Sequence, residues 1–237
     1  MKKTLTFCMT FLMFIGLFAQ KTTVIGNGKI ETEQRNTADF TGVNLRSFVD
    51  VEVLSGSFDQ KIEVIAERNI LPYITTEIRD KKLIVGIRPG ISIKTESNVK
   101  VRFKSNTIKS VEINGSGDFK STSKNEVPSL TITILGSGDV KMNTNSERVN
   151  VNILGSGDVD LVGFTQNFTA TINGSGDVDA LGMKTSKATL TVAGSGDTEL
   201  WVEDELAVNI VGSGDVYYKA NPKLIINNNG SGVVRKK

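Results

Sequence analysis

Residues 150–164, NVNILGSGDVDLVGF, alternate apolar and polar side chains on either side of a four-residue corner, GSGD. Val151 and Ile153 fall on one side of the chain, Asn150 and Asn152 on the other, and Val159 resumes the apolar phase beyond the corner. A period of two is the side-chain period of a β-strand. The same corner stands at 115–118, 136–139, 155–158, 174–177, 194–197 and 212–215, and a GSGV at 230–233, at intervals of 21, 19, 19, 20, 18 and 18 residues. Repetition with a period of about 20 residues is the sequence signature of a solenoid.

The phase is the same in every repeat. Two places before the corner lie Ile113, Ile134, Ile153, Ile172, Val192, Ile210 and Asn228, and four places before it Val111, Ile132, Val151, Ala170, Leu190, Val208 and Ile226. Stacking such units at the strand spacing of about 4.8 Å sets isoleucine on isoleucine and buries an apolar face that no single unit can bury. The spacing predicts an all-β fold. Residues 111–237 form a parallel β-helix, for which right-handed winding is expected, each repeat reading strand, tight corner, strand, variable loop. GSGD makes a poor two-residue hairpin turn, which argues against an antiparallel meander.

Each corner residue carries a requirement. The glycines Gly115, Gly136, Gly155, Gly174, Gly194 and Gly212 provide either positive φ or close approach of neighbouring rungs, and the serine can hydrogen-bond along the stack. The aspartates Asp118, Asp139, Asp158, Asp177, Asp197 and Asp215 form a column of like charges. Unit charges about 5 Å apart in water repel by roughly 0.8 kcal/mol. Two devices can offset this. Each carboxylate can accept amides of its own turn, as in Asx-turns and nests, or calcium can sit between rungs, with Asp139, Asp158 and Asp177 as candidate ligands.

Residues 21–110 are β-rich but less regular: FVDVEVLSG, QKIEVIAE, KKLIVGI and VKVRFK each alternate between turn-rich stretches. This region is expected to cap the N-terminal edge of the helix. Arg235, Lys236 and Lys237 protect the other edge with charge. Residues 1–20 read as a secretory signal: Lys2 and Lys3 precede an apolar run from Leu5 to Phe18, and Ala19 is a small residue at the cleavage position. The run falls short of the ~18–20 residues of a membrane span. Cys8, the only cysteine, lies within it. The reading is export to the periplasm, the outer-membrane surface or the extracellular space, with no membrane span in the mature chain.

Composition excludes several classes of function. The chain has 28 basic and 26 acidic residues and no histidine. Nothing clusters into the basic face that nucleic-acid binding needs. Without histidine there is no Ser-His-Asp triad and no zinc site of the usual type. A polysaccharide-cleaving enzyme built on aspartates is an alternative, but catalysis needs one local constellation and here the aspartates are spread evenly along the stack. The favoured role is noncatalytic binding of a glycan or an envelope protein, with no cofactor. A calcium-stabilised structural envelope protein is a second alternative. The outward Thr133, Asn152, Thr171, Thr191 and Asn209 offer a hydrogen-bonding face, and Trp201 and Tyr217 are the candidate ligand-stacking aromatics.

The GSGDV corners, together with FTGVNLRSFVDVEVLSG, LPYITTEIRDKKLIVGI and VKVRFKSNTIKSVEINGSGD, resemble the secreted bacterial family described as putative autotransporter adhesin, head GIN domain. The resemblance runs from about residue 40 to 235. It implies a helical all-β solenoid and brings no catalytic residue with it. The last corner, Gly230 to Val233, departs by lacking the aspartate, as a terminal rung would.

Overall fold

The structure is a computed structural model that describes residues 21–237; the expectations for the leader and Cys8 lie outside these residues. Eighteen strands follow one another: β1 Thr22–Ile25, β2 Ile30–Asn36, β3 Gly42–Leu45, β4 Asp50–Leu54, β5 Lys61–Glu67, β6 Ile74–Arg79, β7 Lys82–Ile87, β8 Ile91–Lys94 and β9 Lys100–Lys104. The series continues with β10 Ser110–Ile113, β11 Phe119–Ile134, β12 Val140–Ile153, β13 Val159–Ile172, β14 Val178–Val192, β15 Thr198–Ile210, β16 Val216–Lys219, β17 Lys223–Asn228 and β18 Val234–Lys236.

From β10 onward the chain is a parallel β-solenoid. Strands β11 to β15 stack in register, with Ile134 on Ile153, Ile153 on Ile172, Ile172 on Val192 and Val192 on Ile210. All five are buried. A second inward column runs Phe119, Val140, Val159, Val178, Thr198 and Val216. Each fully buried aliphatic side chain contributes about 1.5–3 kcal/mol. Thr198 interrupts the valines, and its hydroxyl is buried without a hydrogen-bond partner. Thr198→Val, which removes that orphan at nearly constant volume, is expected to raise the unfolding free energy by about 1 kcal/mol in urea titration.

The stretch expected as a variable loop stays in the ladder. Each of the five long strands passes a second bend without leaving strand geometry. Small polar side chains fill the interior there: Ser121, Ser123, Asn125, Thr144, Ser146, Thr165 and Thr185 are all buried. The side chains of Ser121, Asn125, Thr144, Ser146, Thr165 and Thr185 are paired, as burial demands. Thr144 Oγ1 lies 2.9 Å from Ser146 Oγ. Asn125 accepts the Ile108 amide at 2.7 Å and donates to the Ile108 carbonyl at 2.8 Å, both bonds that a neighbouring strand would make.

At the N-terminal end spatial order departs from chain order. Strand β3 lies between β10 and β7, parallel to both, and β4 lies between β11 and β9. Residues 42–54 therefore form a rung inserted above the later rung of β7 and β9. Antiparallel pairing then ends the stack: β6 pairs with β7, β5 with β9, and β2 with β5. At the opposite end β17 is exposed along its whole length, and Leu224 and Ile226 continue the inward columns without cover. Lys236 and Lys237 bond Asn221 and Glu199 and so pin β18 rather than shield β17.

The corners explain their own sequence. The corner glycines are absent from the positive-φ glycines, which are Gly28, Gly56, Gly90 and Gly163. Close approach is the reason. A Cβ on Gly157 would lie 2.1 Å from the Gly138 carbonyl oxygen, and one on Gly155 1.9 Å from that of Gly136. Along the stack the serine bonds through its backbone: Ser156 N–H donates to Gly136 O at 3.0 Å and Ser175 N–H to Gly155 O at 3.1 Å.

The aspartates also bond between rungs, not within their own turn. Asp139 N–H donates to Asp118 Oδ1 at 2.9 Å, Asp158 N–H to Asp139 Oδ1 at 2.8 Å, and Asp177 N–H to Asp158 Oδ1 at 2.8 Å. The series continues through Asp197 and Asp215 and ends at the Val233 amide, and at the other end Asp50 receives the Asp118 amide. A hydrogen bond to a charged acceptor is worth about 1.5–3 kcal/mol, more than the like-charge repulsion it must outweigh. Asp158→Ala, which strands the Asp177 amide, is expected to cost about 1–2 kcal/mol in thermal unfolding. Asp158→Asn keeps the acceptor and relieves the repulsion, so it should stay within about 0.5 kcal/mol of the parent.

Candidate binding face

The sheet after each corner turns one flat side to solvent. Register across it sets Glu126 beside Asn145, Asn145 beside Phe164, Phe164 beside Lys184, Lys184 beside Trp201 and Trp201 beside Lys219. Phe164 is 40% exposed and Val162, two residues earlier on β13, is 39% exposed. Val162 leans over Gly182 on the next rung, where a Cβ would meet its Cγ1 at 2.6 Å. Gly163, at φ +119°, bends β13 between them, and a Cβ there would strike the Thr144 carbonyl at 2.2 Å. The apolar strip thus rests on glycines that let the rungs close up.

Trp201 faces outward, as alternation predicts, but it is half-buried. Its Nε1–H donates to Glu203 Oε1 at 2.7 Å. The Lys219 ammonium sits 3.9 Å and the Lys184 ammonium 5.6 Å from the ring centroid, and Lys184 also pairs with Glu203 at 3.5 Å. Cation–π contact and the ion pair fix the indole in place. Tyr217 lies one row closer to the corner, between Glu199 and Arg235. Its hydroxyl donates to Asp215 Oδ2 at 3.0 Å, which holds the phenol above its ordinary pKa because the proton is shared with a carboxylate.

The structure therefore brings Trp201 and Tyr217 onto one face and adds Phe164 and Val162, which sequence reasoning missed because they fall in the presumed loop. Their alternation around the buried Leu161 and Thr165 was the available signal. Beside Phe164 runs a shallow groove of about 360 Å³ walled by Val127, Pro128, Asn145 and Glu147. The row nearer the corner is charged: Lys120, Lys141, Asp160, Asp179 and Glu199 stand on successive rungs. Lys141 pairs with Asp160, which raises the lysine's pKa.

Toward the far end of the same strands, before the next corner, Thr133, Asn152, Thr171, Thr191 and Asn209 form a half-exposed ladder. Asp139, Asp158 and Asp177 stand one rung apart, each with Oδ1 committed to an amide. Among the described residues no three His, Cys, Asp or Glu side chains converge as a metal site would require.

A sequence profile described as putative auto-transporter adhesin, head GIN domain, matches residues 39–222. The chain belongs to this family. Among solved structures, a putative adhesin from Bacteroides fragilis superposes with a TM-score of 0.84 at 19% identity, covering 90% of this chain and all (100%) of that one. A putative lipid binding protein from Parabacteroides distasonis gives 0.74 at 23% identity, covering 91% and 100%. A putative adhesin from Parabacteroides merdae gives 0.68 at 22% identity, covering 91% and 99%. At these identities the likeness establishes the solenoid fold of the family member. No curated protein matches the chain. Among the described residues no helix is long and apolar enough to cross a membrane.

Proposed function

We propose that this family member is a noncatalytic, adhesion-like binding module of the bacterial cell envelope, and that its ligand is an extended acidic glycan laid across the Phe164–Trp201 row. The row itself supports the reading. Phe164 and Trp201 are separated by one intervening rung, a distance of about 10 Å at the strand spacing. That is close to the repeat of an extended disaccharide, so two alternate sugars would meet the two aromatics. Lys219, over the indole, and Lys184, at its margin, complement carboxylated sugars. The surface rests on strands held in parallel ladders that are interrupted at the bulges of β14 and β15, so little conformational entropy is lost on binding.

The test is retention of the purified protein on a panel of neutral and acidic polysaccharides, compared with F164A/W201A. Specific retention of an acidic glycan that weakens at least about tenfold in the double variant is expected. Retention that is indifferent to the double variant, or binding only to envelope proteins, would overturn the reading.

A further inference from the structure

The corner column is polarised, and its positive end opens into a cleft at the N-terminal end of the stack. In each corner the C=O of the first residue and the N–H of the second belong to one peptide group. These groups bond head to tail: Ser231 to Gly212, Ser213 to Gly194, Ser195 to Gly174, Ser175 to Gly155, Ser156 to Gly136, Ser137 to Gly115 and Ser116 to Ser47, at 2.9–3.2 Å. Aligned peptide dipoles add, and chains of hydrogen bonds polarise one another. The last group in the line is the Ser47–Phe48 peptide.

The rung of β7 and β9 beneath it has no matching corner. After Ile87 the chain swings outward through Pro89 and Gly90, at φ +80°, to make β8, which pairs with β1. Among the described residues the Phe48 amide has no acceptor, although the equivalent amide has one in every later corner. The cleft left there, about 420 Å³, is walled by Phe48, Ile87 and Ile91 and rimmed by Lys21, Arg46 and Arg88. No acidic residue lines it. Arg46 donates to Asn44, and Arg88 donates to the Pro72 carbonyl and lies over Tyr73. Glu112, the acid nearest Arg46 in the ladder, is engaged by Lys82 at 3.3 Å. Glu67 and Glu96 lie in the separate cleft on the far side of Phe48.

We propose that this cleft is a phosphate-class oxyanion site, with the Phe48 amide as its central donor and Lys21, Arg46 and Arg88 as its counter-charges. Backbone donors at the positive end of aligned dipoles select anions, and arginine adds charge-assisted bonds. A phosphate monoester, at about −1.5 to −2 charges near neutral pH, matches three cations better than a singly charged carboxylate does. The apolar walls suit a substituent carried on the phosphate.

The experiment is a titration of the purified protein with inorganic phosphate at low salt, following the backbone amides by NMR against a chloride control of equal ionic strength. A saturable shift centred on Phe48 and Ser47, weakened at least about tenfold in K21Q/R46Q, is the expected result. A shift that does not saturate, that spreads over all surface cations, or that survives in K21Q/R46Q would overturn the site. A second arm identifies the source of the phosphate. Retention on phosphatidic acid vesicles but not phosphatidylcholine vesicles, competed by phosphate and lost in K21Q/R46Q, marks a lipid headgroup. Saturable phosphate binding without vesicle retention marks a soluble phosphorylated ligand.

Discussion

Gly157→Ala is expected to lower the unfolding free energy by about 3 kcal/mol or more, the upper end of what overpacking costs. The added methyl would lie 2.1 Å from the Gly138 carbonyl oxygen and 2.8 Å from its carbon. The neighbour is backbone, fixed on both sides by strands in register, so neither rung can give way without breaking ladder bonds. Gly28 is the contrasting case: at φ +74° with nothing within 4 Å of its missing Cβ, Gly28→Ala should cost only about 1 kcal/mol of backbone strain. Equal losses at the two positions in chemical denaturation would mean that conformational freedom, not contact between rungs, selects the corner glycines. The inserted rung is a natural control. Its corner is Ser47-Phe48-Val49-Asp50, and side chains are tolerated there because the chain beneath departs into β8.

Glu67→Ala is the second large effect. Glu67 is 3% exposed. It accepts the Gly28 amide at 2.8 Å, the Thr95 hydroxyl at 2.9 Å and the Ser97 hydroxyl at 3.3 Å. It thereby ties the segment after β1 and the segment after β8 to the end of β5. Removing it leaves three donors at a part-buried site, a loss of about 3 kcal/mol by the usual cost of stranded hydrogen bonds. Because, among the described residues, β1 and β8 pair only with each other, the loss should appear as local opening. Hydrogen exchange of Val24 and Lys94 should accelerate about a hundredfold, while the amides of β12 and β13 stay unchanged. Glu67→Gln, which keeps an acceptor for the Gly28 amide, should recover a good part of the protection. If Glu67→Ala leaves exchange in β1 and β8 as it was, the carboxylate is not what holds them.

The solenoid was legible because its signal is local and repeated. Ile134, Ile153 and Ile172 share one phase, and a parallel stack is the arrangement that buries all of them. The need for glycine was legible too, but not its cause: sequence cannot separate positive φ from close approach, and only the position of the Gly138 carbonyl decides for Gly157. The aspartate column showed the same limit. Repulsion required an offset, yet whether the compensating amide belonged to the same turn or the next rung depends on the direction of each N–H, which no residue letter carries.

The inserted rung was hidden for another reason. That β3 sits between β7 and β10 is a matter of pairing between segments far apart in the chain, and alternation in FVDVEVLSG says only that a strand is present. On the candidate face, Trp201 facing outward followed from alternation. The cover provided by Lys219 and the company of Phe164 followed from register across three rungs, which the bulges in β14 and β15 shift by amounts the sequence does not announce.

The spine of carboxylate-to-amide bonds between rungs holds the corners in line, beside the column of peptide groups that ends at Phe48. It can be observed directly as scalar coupling across hydrogen bonds in the triply labelled protein. Cross-peaks from the Asp158 amide to the Asp139 carboxylate carbon, and from the Asp177 amide to that of Asp158, are the predicted result. Amides that correlate with the carboxylate of their own turn, or with none along the column, would contradict it.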